Sequence, residues 1–259
     1  MRFMLILMMG MIIFLSFIII QKILYRFDDY VVISNLQGFD DNKWSINGIE
    51  KSIEGFVDAG ELEHVSKAIF DFINNAKKHS MECATTYDCD FNPISKFIRG
   101  NSNRYVDIPL EDIDMVAGSY FGLVGHSHTR SKIPLPNWHD IETGIINLNI
   151  KYNIIYAPGF GVTIIKKSNP TIKLDIGRLE NSFNKSHSKR KDYVQNNITK
   201  EIDEYKLKVK YDYSISDFKK LKEMNKIEDW VRHKNLKEQC TFYNDELKQY
   251  DIELLYFVA

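Results

Sequence analysis

Hydrophobic and polar positions alternate most cleanly from Ile146 to Ile154: Ile146, Leu148, Ile150, Tyr152 and Ile154 are apolar, and Asn147, Asn149, Lys151 and Asn153 are polar. A period of two marks a strand with one buried face. Upstream, Ile113 to Val124 ends in the apolar run Tyr120-Phe121-Gly122-Leu123-Val124 and predicts a second strand, with a loop from Gly125 onward. Shorter runs predict further strands at Tyr30–Ile33, Val162–Ile165, Ile172–Ile176 and Ile252–Val258, and Tyr205 to Tyr213 also alternates. A turn is expected at Tyr156–Gly159. The period changes to three and four over Leu62, Val65, Ile69, Phe72, Ile73 and Ala76, which predicts an amphipathic helix from Gly60 to His79. Helices are also expected over Pro93–Ile98 and from Ser216 to Val231. Between Asn181 and Lys191 the residues are polar and basic with no apolar period, the pattern of a solvated linker.

The amino terminus follows neither period. Phe3 to Ile20 carries no charge and is broken only by Gly10 and Ser16. A helix of that length covers roughly 27 Å, close to a bilayer's hydrocarbon thickness. The expected fold class is therefore α+β: one amino-terminal transmembrane helix, then a mostly antiparallel sheet packed with amphipathic helices. The expected organisation is an anchor and flank over 1–26, an α+β domain over 27–180, a linker over 181–191 and a strand-helix-strand segment over 192–259.

Composition narrows the class without naming a function. The chain has 259 residues, 44% hydrophobic and 27% charged, and a formal net charge of -1. That is ordinary globular material with no whole-chain basic footprint, so no nucleic-acid partner is expected. Cys83 and Cys89 flank Ala84-Thr85-Thr86-Tyr87-Asp88, a spacing that a small disulfide loop can close in an oxidising compartment. On this basis the bulk of the chain is expected outside the cytoplasm, held to the membrane through residues 3–20, with Cys240 as a free thiol.

The chemistry concentrates between the two main strands. Gly125-His126-Ser127-His128-Thr129 is followed by Ile133-Pro134-Leu135-Pro136-Asn137-Trp138-His139-Asp140, so three of the seven histidines lie close together. On an extended segment, residues two apart point the same way. His126 and His128 can then share a zinc or other divalent ion, with His139 or Asp140 as third ligand. A second arrangement has the order of a papain-like Cys/His amidase, with Cys89 as nucleophile, His126 or His128 as base and His139 as orienter. A serine elbow is excluded, because Thr129 replaces the final glycine of Gly-x-Ser-x-Gly and Pro134 and Pro136 forbid the following helix.

Val124-Gly125-His126-Ser127-His128-Thr129 resembles the Gly-His-Thr-His segment of calcineurin-like metallophosphoesterases, whose two histidines serve a two-metal site. Arg99-Gly100-Asn101-Ser102-Asn103-Arg104 is similar to that family's Gly-Asn-His-Asp segment, and Ala157-Pro158-Gly159-Phe160 stands roughly where it has Asn-Pro-Gly-Ser. Ser102 replaces the catalytic histidine, and no Asp-x-His or Gly-Asp-x-x-Asp segment precedes it, so half of the ligands that the resemblance implies are missing. No complete catalytic motif emerges. The function expected first is a membrane-anchored envelope module that binds a protein partner, in the manner of an inhibitor or immunity factor. A metal-dependent hydrolase built on the histidine segment stands second, and the Cys/His amidase third.

Overall fold

A computed structural model describes residues 42–94, 98–100, 121–129, 133–142, 150–169, 174–210 and 235–258. All of these fall within one unit, Asn35–Ala259. In chain order, two helices come first, α1 (Ile46–Ile53) and α2 (Leu62–Ala76). Strands β1 (Cys83–Tyr87), β2 (Ile98–Arg99) and β3 (Phe121–Ser127) follow, then the short α3 (Trp138–Ile141), β4 (Ile150–Ala157) and β5 (Gly161–Lys167). A long helical run comprises α4 (Ile176–Tyr193), a π-turn (Val194–Ile198) and α5 (Thr199–Lys210). Helix α6 (Leu236–Leu247) and β6 (Ile252–Phe257) close the chain.

The six strands form one sheet in the order β2-β1-β3-β4-β5-β6. Every pairing is antiparallel except β3 with β4, which run parallel with His126 opposite Ile155. One face carries Leu123, Tyr152, Ile154, Tyr156, Val162, Ile164 and Phe257, and these join Ile49, Ile53, Val65, Ile69, Phe72 and Ile73 of α1 and α2 in a single apolar core. Gly125 is what lets α2 approach β3: a Cβ there would sit 2.9 Å from the Phe72 ring. The opposite face is covered by α6, which packs on β6, and by α4, which packs on α6. Asn244 fixes that layer by bonding the Leu254 main chain twice, accepting from its N–H at 2.6 Å and donating to its carbonyl at 2.9 Å.

A charged clasp ties the α1–α2 connection to the sheet. Lys151 Nζ reaches Asp58 Oδ2 at 2.8 Å and Glu61 Oε1 at 2.7 Å, while Lys166 Nζ reaches Asp58 Oδ1 at 2.7 Å. The Tyr152 hydroxyl donates to Glu61 Oε2 at 2.8 Å.

Several expectations are corrected. The α+β class stands, but the expected transmembrane helix is not among the elements described: among the described residues no helix is long and apolar enough to cross a membrane. Phe3–Ile20, the strand at Tyr30–Ile33, the helix from Ser216 to Val231 and the first part of the Ile113 and Ile146 strands lie outside the described residues. The disulfide is also overturned. Cys83, Cys89 and Cys240 are not in disulfides, Cys83 being buried within β1 and Cys89 exposed beyond its end. Residues 181–191 are not a linker but the body of α4. Asp175 caps that helix by accepting the Arg178 N–H at 3.2 Å, and its inner face needs only Leu179, Phe183 and Ser186. Tyr205 to Lys210 is helical rather than extended. The terminal strand is where it was expected.

Candidate metal centre

β3 continues through Ser127 because Ser127 is held from the neighbouring strand: its Oγ accepts the Cys83 N–H at 2.9 Å, and His128 N–H donates to the Tyr156 carbonyl at 2.7 Å. The two histidines therefore sit at the end of a strand rather than in a free loop. Extended geometry turns both imidazoles to the α4/α6 face of the sheet, with ring centroids 5.2 Å apart. The site lies beyond the carboxyl end of one strand of the parallel pair, where open sheets with parallel strands tend to place their ligands.

Asp140 reaches the same point from the other side. Asn137 caps α3 in a reciprocal box: Asn137 Oδ1 accepts the Asp140 N–H at 3.0 Å, and Asp140 Oδ2 accepts the Asn137 N–H at 2.8 Å. This bond fixes the carboxylate's rotation and leaves Oδ1 facing His126 Nε2 at 3.3 Å, while Oδ2 lies 3.9 Å from His128 Nε2. The ligand atoms of His126, His128 and Asp140 all lie within 4.8 Å of one another. The side chains are nearly buried but not sealed, at 14%, 7% and 11% exposure respectively.

His128's tautomer follows from its partner. Nδ1 lies 2.8 Å from the Ile133 carbonyl, which can only accept, so Nδ1 carries the proton. In the neutral ring Nε2 then presents a lone pair toward the Asp140 carboxylate, an arrangement that an intervening cation stabilises. A histidine held through its outer N–H by a main-chain carbonyl is the usual support of a metal ligand. His126 is buried, which alone would lower its pKa, but the Asp140 carboxylate beside it outweighs that and holds it above the ordinary value. Asp140 is the counterpart. Burial pushes its pKa up, yet the charge of His126 beside it brings it down to about 2.

The remaining candidates are not brought to this point. His139 is 75% exposed and faces Glu142 at 3.9 Å. Consecutive residues on a helix point about 100° apart, so α3 presents Asp140 or His139 to the sheet, not both. Cys89 follows the end of β1 that pairs with Leu123, whereas His126 pairs with Ala84 at the other end, so nucleophile and base do not meet. Two residues of the site carried no signal beforehand. Glu82, 4% exposed, precedes Ala84 by two on the same sheet face, and its charge acts on His126. The alternation of the strand predicts Asn153 on its polar, outer side. Helices cover both faces of the sheet, so it is 1% exposed and donates from Nδ2 to the Asp140 carbonyl at 3.0 Å.

No protein-family model, no curated protein and no solved structure matches the chain. The likeness of residues 124–129 to metallophosphoesterases thus remains that of a short motif, and Ala157–Phe160 forms the β4–β5 turn.

Proposed function

We propose that this protein is a mononuclear, divalent-metal-dependent hydrolase whose ion is held by His126 Nε2, His128 Nε2 and the Asp140 carboxylate. The observation that carries the reading is the convergence of these three groups on one point, with the bond from Nδ1 to Ile133 making Nε2 the lone-pair nitrogen of a neutral His128. Two imidazoles and one carboxylate suit zinc and its first-row neighbours. Three protein ligands leave a position for water, whose pKa a bound zinc lowers to about 7. Glu82, buried on the same face, is the group assigned to accept that water's proton. The competing reading, a module that binds a protein partner, has no comparable observation behind it. Among the described residues the large exposed apolar side chains, Ile46, Met81, Ile176 and Val258, lie on four separate segments.

The test is metal stoichiometry of the full chain after exposure to zinc, followed by assay against chromogenic carboxylic and phosphate esters. One ion per chain is expected, with hydrolysis that Glu82→Gln removes while keeping the ion. A chain that takes up no stoichiometric ion overturns the centre. An ion with no hydrolysis of either ester class leaves a structural centre and overturns the enzyme.

A further inference from the structure

Two side-chain atoms at this site are buried without a hydrogen bond among the described residues: His126 Nε2 and Asn153 Oδ1. An ion bound at His126 accounts for the first. The second needs its own account, since a buried amide oxygen is rarely left without a donor. Asn153 stands on β4 opposite Val124, one step along the sheet from the His126–Ile155 pair and on the same face as His126. Its amide cannot be turned around. Nδ2 lies 3.0 Å from the Asp140 main-chain carbonyl, which only accepts, so Oδ1 is aimed away from α3. Asn153 and His126 lie on one face of adjacent strands.

Resting on the metal reading above, we infer that Asn153 is the positioning residue of the centre, joining two of its ligands through opposite ends of one amide. Nδ2 holds the main chain of α3, and with it the Asp140 carboxylate. Oδ1 accepts the His126 ring N–H that faces away from the ion, so that Nε2 is the nitrogen with the free lone pair. His128 obtains the same support from the Ile133 carbonyl, and the Asp140 carboxylate from the Asn137 N–H. With Asn153 each of the three ligands has a fixed outer partner, and supports of this kind commonly change metal affinity about 10- to 100-fold when removed. The assignment also explains a polar residue at the centre of a sheet covered on both faces, where an aliphatic side chain would otherwise pack.

The experiment uses the full-length protein, stripped of metal and titrated with Zn²⁺ and Co²⁺ against a chromophoric chelator. Asn153→Ala removes both contacts. Asn153→Asp keeps the shape and the acceptor but replaces the donor facing the Asp140 carbonyl. Both variants are expected to raise the Kd for either ion by at least about 10-fold, and to shift the visible absorption bands of the Co²⁺ form, which report ligand geometry. Asn153→Asp serves where the alanine variant fails to fold. Wild-type affinity and an unchanged Co²⁺ spectrum in the folded variant overturn the inference while leaving the centre intact. A wild-type chain that binds neither ion removes the centre and the inference together.

Discussion

At the scale of single residues, the site depends on rotations that a sequence does not display. His-x-His was legible as two side chains on one face once the segment was taken as extended. The choice of Asp140 over His139 was not, because it depends on which side of a one-turn helix meets the sheet. Its local cause is nonetheless in the chain: Asn137 and Asp140 have the spacing of a capping box, which orients the carboxylate. Removing a ligand should therefore differ from removing a neighbour. His126→Ala, His128→Ala and Asp140→Ala should each abolish stoichiometric metal, and His139→Ala should leave it unchanged, as read by elemental analysis of the purified chains. The cysteines give a second check. Cys89 is exposed and should react at once with a thiol reagent in the native protein. Cys240 is buried, and burial pushes its thiol up to about 12, so it should react only on unfolding, together with buried Cys83. Prior reduction should change nothing. Labelling of Cys89 that appears only after reduction would contradict the free-thiol assignment.

At the scale of elements, periodicity served where one face is buried and failed where packing supplied the rest. The stripe of α2 was fully written in Leu62 to Ala76. α4 was missed because its inner face uses two large residues, Leu179 and Phe183, and a serine, Ser186, that allows close approach. Tyr205 to Lys210 alternates as a strand does, yet continues a helix already nucleated upstream, since adding a residue to an existing helix is far easier than starting one. Phe183 is the joint between this helix and the site: its ring lies 5.7 Å from Trp138 of α3 and 5.4 Å from Tyr243 of α6. Phe183→Ala should cost about 3–5 kcal/mol in urea unfolding. It should also weaken metal binding, because α3 loses the contact that seats it. Unchanged metal affinity in the folded variant would separate α4 from the site.

At the scale of the whole molecule, a six-stranded sheet with helices on both faces was only partly legible. Strands β3 to β6 were visible one by one, but β1 reads as a disulfide loop and β2 begins where a helix over Pro93–Ile98 is expected. The parallel β3–β4 pairing, which places the site, depends on contacts between distant segments. The charged clasp was likewise invisible, since Asp58 and Lys151 are far apart in the chain. It sets a pH dependence with a definite sign. The hydrogen bonds from Lys151 and then Lys166 hold the Asp58 pKa below its ordinary 3.8 in the folded chain. The unfolded state then binds the proton first, so the contribution is complete above about pH 4 and is lost as pH falls through the folded value. Wild-type stability minus that of Asp58→Asn should shrink over that acid range and stay flat from pH 5 to 8; a difference that grows on acidification would contradict the clasp. The central claim is the ion itself. Its most direct test is anomalous diffraction, at the zinc absorption edge, from crystals of the zinc-loaded protein. The account predicts one peak about 2 Å from His126 Nε2, His128 Nε2 and an Asp140 carboxylate oxygen. Crystals with no peak there, or with the zinc bound by other residues while these three stay in contact, would contradict it.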